Sequence, residues 1–95
     1  MSGEETAQAH VVFHGRVQGV YFRAHCEDEA NRLGIKGWVA NRPDGSVEGL
    51  FEGKRTDVES LIEYCKRGQP HARVSDCDVR WNRSTGKFQD FRITG

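Results

Sequence analysis

Ninety-five residues suffice for one domain with one modest core, and 36% apolar with 29% charged residues marks a globular rather than a disordered chain. Fourteen basic residues balance fourteen acidic ones, so formal net charge is zero and the broad basic field of a nucleic-acid binder is missing. No window approaches the roughly 18 consecutive apolar residues of a membrane span, so neither nucleic acid nor membrane is expected as a partner, and any anion site is local with a small ligand.

Residues 1 to 8, Met1-Ser2-Gly3-Glu4-Glu5-Thr6-Ala7-Gln8, are polar and acidic and lack the basic-then-apolar layout of a secretion signal. They predict a short flexible lead to a single domain over 9 to 95. A first strand is expected at 9 to 14, with Val11 and Phe13 on one face and His10, Val12 and His14 on the other. From Tyr21 to Leu33, the residues Phe22, Cys26, Ala30 and Leu33 recur at helical spacing, and Gly34 is a good stop.

Between that strand and that helix lies Gly15-Arg16-Val17-Gln18-Gly19-Val20-Tyr21-Phe22-Arg23. A glycine-punctuated loop that opens a helix aims unpaired backbone N–H groups, and the positive end of the helix dipole, at one spot. Arg16 and Arg23 in the same nine residues make that spot a receptor for a dianion, phosphate above all.

Residues 35 to 42 and 46 to 52 read as two strands joined by Arg42-Pro43-Asp44-Gly45, a turn in which proline presets φ and glycine supplies its positive value. Asn41 follows Gly37-Trp38-Val39-Ala40 at the end of the first of these; a neutral amide near a phosphate cradle can orient a water without needing a pKa. Thr56 and Glu59 form a capping-box signature for a second helix, whose stripe is Val58, Leu61, Ile62 and Cys65 and which Gly68 ends. A connection containing Pro70 leads to a strand at 74 to 82, with Cys77, Val79 and Trp81 facing one way and Asp76, Asp78 and Arg80 the other. The segment 88 to 93, with Phe91 and Ile93 alternating, is a short last strand.

The order β-α-β-β-α-β plus a terminal strand predicts an α+β, ferredoxin-like (split β-α-β) sandwich: an antiparallel sheet with two helices on one face. In that topology the third strand lies between the first two. Their C-terminal ends, at His14-Gly15 and Asn41, therefore emerge at one edge, about 9–10 Å apart. A phosphate held by the loop then leaves room for one water before Asn41.

Other reactive side chains point elsewhere. Cys26, Cys65 and Cys77 are odd in number and widely spaced, which predicts free thiols and a reducing cytoplasm. His10, His14, His25 and His71 form no metal constellation, since His10 and His14 stand about 13 Å apart on one strand. No metal site and no cofactor are expected.

The stretch G-R-V-Q-G-V-Y-F-R at 15 to 23 resembles the phosphate-loop signature of the acylphosphatase family. L-G-I-K-G-W-V-A-N at 33 to 41, followed by D-G-S-V-E at 44 to 48 and E-G at 52 to 53, resembles its second signature, and the likeness runs from about residue 9 to the end. The resemblance implies a metal-independent hydrolase that splits small acyl phosphates into a carboxylate and inorganic phosphate, the latter also an inhibitor. Carried over by position, Arg23 is the catalytic arginine and Asn41 the water-orienting asparagine. The phosphate cradle is then Gly15, Arg16, Val17, Gln18, Gly19, Val20 and Tyr21 with Arg23. No His or carboxylate is forced into the site, so the substrate's own phosphate is expected to accept the proton. Gln69 stands where many members have proline, in a segment expected to be remote from the chemistry. A monomer is expected. The alternative is a non-catalytic anion-binding or regulatory domain of the same fold, which would retain Arg23 but have no need of Asn41.

Overall fold

Alternation of apolar and polar residues makes the first strand the spine of the molecule. β1 (Thr6–Arg16) turns Ala9, Val11 and Phe13, all fully buried, toward the helices. The computed structural model describes residues 5–95. Thr6, Ala7 and Gln8 belong to β1 rather than to the lead predicted over 1 to 8, because Ala7 and Gln8 are buried in pairing with β3. The rest of that lead, residues 1–4, lies outside the described residues.

The chain continues through α1 (Phe22–Leu33), β2 (Lys36–Asn41), β3 (Val47–Lys54) and α2 (Arg55–Glu63), which passes into a π-type turn at Tyr64–Gly68. β4 (Arg73–Asn82) and β5 (Phe91–Ile93) follow. The sheet order is β4-β1-β3-β2-β5, with β3 antiparallel to both β1 and β2, and β4 antiparallel to β1. The expected α+β sandwich is therefore present, with one correction: β5 runs parallel to β2, so the sheet is mixed and not purely antiparallel. Because β4 runs opposite to β2, a chain that reverses after β4 and crosses to the free edge of β2 must arrive parallel to it.

That crossing is held by a carboxylate. Glu52, on the sheet face away from the helices, accepts hydrogen bonds from Gln8 Nε2 (2.9 Å), Thr85 Oγ1 (3.0 Å) and Gly86 N (2.7 Å). Burial alone would raise the Glu52 carboxyl, but the hydrogen bonds from Thr85, Gly86 and Gln8 outweigh it and hold it below its ordinary 4.5.

The core is an aromatic row between sheet and helices. Phe13 meets Phe22 of α1 edge-on at 5.2 Å and lies 6.3 Å from Phe51, which lies 5.9 Å from Phe91. Phe13 and Phe51 are both fully buried on the helix side, so neither is available on the open face to stack a base. α1 ends in a Schellman motif: Ile35 N–H reaches Ala30 O (2.8 Å) and Gly34 N–H reaches Asn31 O (3.2 Å), with Gly34 at φ 74°.

The predicted capping box is not formed. α2 starts two residues earlier than that box would set it, at Arg55 with Lys54 as N-cap and no side-chain cap, and Thr56 lies inside the first turn. β3 runs straight into the helix, and its start is fixed otherwise: Arg55 N–H donates to Glu5 O (2.8 Å), and the Arg55 guanidinium stacks 3.8 Å over the Trp81 ring. No helix among the described residues is long and apolar enough to cross a membrane.

All three cysteines are free thiols. Cys26 and Cys65 share a buried S–H···S contact of 2.8 Å, and burial, with the Cys26 thiol beside it, pushes the Cys65 thiol well above its ordinary range. Cys77 is half-buried. An aromatic disulfide reagent is accordingly expected to titrate one thiol in the native protein and three after denaturation; three in the native state would contradict this packing. For Glu52, the folded pKa lies below the unfolded value near 4.5. Its stabilising contribution is therefore complete above that value and lost as pH falls through the folded pKa. Glu52→Gln is expected to lower the melting temperature at neutral pH and to change it much less in acid. An equal drop at both pH values would rule this out.

Candidate active site

The site is assembled where β1 leaves the sheet. Pairing of β1 with β4 shifts register between His14 and Gly15, and Gly15 sits at φ 119° with its α-carbon packed against the neighbouring strand. A Cβ there would lie 2.2 Å from Arg73 O, so only glycine lets β1 stay bonded to β4 while turning out of the sheet. Val17, almost fully buried, then pins the middle of the loop into the core, and Phe22 pins its end. Between them Tyr21 is the only described non-glycine residue at positive φ (62°), and its side chain is 78% exposed. Tyr21 is the N-cap of α1 without a side-chain cap, and the first turn carries no acidic residue. The first N–H groups of the helix therefore face the loop without a side-chain acceptor.

Gln18 joins this loop to the next one. Its Nε2 donates to Arg42 O (2.8 Å) and Ser46 O (2.9 Å), the two ends of the β2–β3 turn. That turn is closed by Gly45 N–H to Arg42 O (3.1 Å) and Arg42 N–H to Ser46 O (2.9 Å). Asp44 Oδ1 accepts from Ser46 N (3.0 Å) and Ser46 Oγ (2.5 Å), and these bonds lower the Asp44 carboxyl from its usual range.

Arg23 stands in the first turn of α1, half-buried, and its Nη1 donates to the Gly95 carbonyl oxygen. The same oxygen accepts from the Asn41 backbone N–H at 3.2 Å. One oxygen atom thus lies within reach of both the guanidinium and the end of β2. A cavity of about 390 Å³ opens here, and Val17, Gly19, Tyr21, Phe22, Arg23, Ala24, Asn41 and Ile93 line it. Asn41 Oδ1 is buried and has no hydrogen-bond partner in the protein. An orphaned buried acceptor is costly, and a water or ligand donor would relieve that cost.

Of the residues singled out from the sequence, the cavity collects Val17, Gly19, Tyr21, Arg23 and Asn41. Gly15 lies behind it against β4, Arg16 faces a neighbouring cavity, and Val20 packs partly on the core. The Gln18 side chain is committed to the β2–β3 turn, so any role in the cradle falls to its main chain. Two contributors went unnoticed in the sequence. Ile93 reaches the cavity because β5 pairs beside β2, which alternation alone does not reveal. Gln69 is not remote, as expected, but buried behind the site: its Nε2 contacts Phe22 O (3.3 Å) and Cys26 Sγ (3.4 Å).

A sequence profile of the acylphosphatase family matches residues 9–93. The chain belongs to the acylphosphatase family. It is 53% identical over 87 residues to the acylphosphatase of Pelotomaculum thermopropionicum, a match that covers 92% of this chain and 95% of that protein. It is 50% identical over 90 residues to the acylphosphatase of Pyrobaculum arsenaticum, covering 94% and 95%. The crystal structure of acylphosphatase from Bacillus subtilis is similar with a TM-score of 0.89 at 39% identity, over 94% of this chain and 99% of that one. Like other acylphosphatases, the chain is an enzyme, a hydrolase of acyl phosphates.

The Gln18 brace carries a consequence for rate. Gln18→Ala should leave the far-ultraviolet spectrum intact, because the residue lies outside the core, while loosening the loop against Asn41. Misplacing reacting groups by about 1 Å costs up to roughly 10²-fold. We therefore expect kcat/KM for an acyl phosphate to fall by about 10-fold or more, and unchanged kinetics would show that the brace has no part in positioning.

Proposed function

We propose that the phosphoryl group of an acyl phosphate lies in the cradle of main-chain N–H groups from Gly15 to Tyr21, with two of its oxygens on the Arg23 guanidinium. The Asn41 carboxamide then orients a water for in-line attack. The observation that carries this reading is a single cavity holding the loop, Arg23 and an Asn41 acceptor with no protein partner. Arg23 and the α1 N-terminus supply positive charge where negative charge gathers, and the contact of both Arg23 and the Asn41 backbone N–H with the Gly95 carbonyl oxygen supports an oxygen ligand at that point.

The chemistry asks little else of the protein. The substrate is a mixed anhydride, so its leaving group is a carboxylate, a weak base that departs without a general acid. Water oxygen forms a bond to phosphorus, and the bond from phosphorus to the carboxylate oxygen breaks. The carboxylate keeps that bonding pair, and a non-bridging phosphate oxygen takes the water proton. The products are a carboxylate and dihydrogen phosphate, so mass and charge balance with no added co-reactant. Positioning and electrostatics account for the rate.

The same reading makes inorganic phosphate a competitive inhibitor and residues 9–95 one working unit, active as a monomer. The free thiols support a reducing compartment, the cytoplasm, as its location.

The test is hydrolysis of benzoyl phosphate in the presence of a chelator, with inhibition by inorganic phosphate measured alongside. Removing one preorganised charge-stabilising group costs on the order of 10²–10³ in rate. Arg23→Ala is expected to lose that much turnover together with phosphate inhibition. Asn41→Ala should lose turnover to a similar degree while phosphate still inhibits. Parallel loss of both properties in Asn41→Ala would remove its role with water, and activity that vanishes in chelator and returns with a divalent ion would overturn the metal-free step.

A further inference from the structure

A second cavity, of about 430 Å³, adjoins the first, and the two share Gly19 and Tyr21 in their walls. Its charged and titratable lining consists of Arg16, Arg73 and His71, with no acidic side chain. Arg16 and Arg73 are directly opposed across β1 and β4. Like charges directly opposite each other repel and weaken strand pairing. Arg32, Arg42, Arg55, Arg67 and Arg92 each have a carboxylate within ion-pair distance, whereas Arg80 and Arg83, like the two arginines of this cavity, have none among the described residues. Among the described residues, neither Arg16 nor Arg73 has an ion pair, and both are exposed.

Two opposed arginines and a histidine around one hollow, beside the cavity that holds Arg23 and Asn41, form a receptor suited to an anion. Tyr21, held at φ 62° with its ring exposed, forms the partition. A non-glycine residue in that conformation stores strain of the kind found at ligand clamps. The two cavities share Gly19 and Tyr21, so an acyl group extending from a phosphoryl centre in the first cavity would enter the second past these two residues.

We propose that the Arg16, His71 and Arg73 cavity is a second anion subsite, which binds a carboxylate or phosphate at the far end of the acyl group. The preferred substrates are then acyl phosphates that carry a second negative charge. This rests on the phosphoryl group occupying the first cavity, as proposed above.

The measurement is kcat/KM for three substrates: butyryl phosphate, with no distal charge; succinyl phosphate, with a distal carboxylate; and an acyl phosphate bearing a distal phosphate monoester. The wild type is expected to favour one or both charged substrates over butyryl phosphate by about 10-fold, the effect of one or two charge-assisted hydrogen bonds at a partly exposed site. The better of the two identifies the distal group. That preference should shrink toward unity in Arg73→Gln and in His71→Gln, whose kcat/KM for butyryl phosphate stays within about twofold of the wild type, and the ratio between charged and uncharged substrates should also shrink as salt is raised. Arg73→Lys should keep part of it. If Arg73→Gln does not fold, His71→Gln and the salt series give the same readout.

Equal rates for all three substrates in the wild type would overturn the subsite, as would a preference unaltered in the variants. Both results leave butyryl phosphate hydrolysis, and so the reading of the first cavity, intact. A wild type that hydrolyses none of the three would overturn that reading and the subsite with it.

Discussion

Because β3 is wedged between β1 and β2 and pairs antiparallel with both, the chain leaves β1 and β2 at the same end of the sheet. Two segments far apart in sequence, the loop after Arg16 and the end of β2 at Asn41, are thereby held one intervening strand apart. Two strand spacings, about 9–10 Å, accommodate a tetrahedral anion and one water molecule. Nothing in either segment alone produces that gap, and a change of strand order would abolish it. Gln18 then fixes the gap by tying the loop to the carbonyls of Arg42 and Ser46 at both ends of the β2–β3 turn.

Much of this was legible in the chain because its signals are local or periodic. The alternation of Val11 and Phe13, the helical recurrence of Phe22, Cys26 and Ala30, and the Pro43-Asp44-Gly45 turn each specify an element by themselves. The glycine loop with Arg23, and Asn41 at a strand end, stood out for the same reason, and Gly19, Arg23 and Asn41 line one cavity. What escaped depends on partners distant in sequence. The pairing of β5 with β2 follows from the position of β4 at the opposite edge of the sheet, and with it comes Ile93 in the cavity wall. The side chain of Gln18 has no periodic signature, since its partners are carbonyls belonging to any residue type. Thr56 and Glu59 matched a capping pattern, but the stack of Arg55 on Trp81 and the bond from Arg55 to Glu5 set the helix start instead.

Electrostatically the molecule concentrates its cations by subtraction. Overall charge is zero, and half of the ten arginines are matched to a carboxylate close in sequence, such as Arg32 with Glu29 and Arg67 with Glu63. Such exposed pairs add little to stability. They do cancel field elsewhere on the surface, so that Arg23 and the helix N-terminus stand out. Arg23 sits where the helix dipole disfavours a cation, a placement that makes sense only beside an electron-rich oxygen. In this structure the Gly95 carbonyl takes that position, and a phosphoryl oxygen would do so with a full charge.

The rigidity needed for such a site comes from the core rather than from the loop itself. Backbone at φ 62° in Tyr21 costs on the order of 1–3 kcal/mol and persists only where its surroundings over-determine it. Here Val17 and Phe22, buried on either side of it, supply that determination. Phe22 is clamped in turn by the Phe13 ring in front and by the Gln69 amide on its carbonyl behind. The main chain between them is thereby anchored at both ends in the core. A site with no general base among its lining residues depends on that anchoring, since fixed donors lower a barrier only if they need no reorganisation as charge develops. The aromatic row that stabilises the fold therefore also fixes the end of the loop that lines the cavity, through the contact of Phe13 with Phe22.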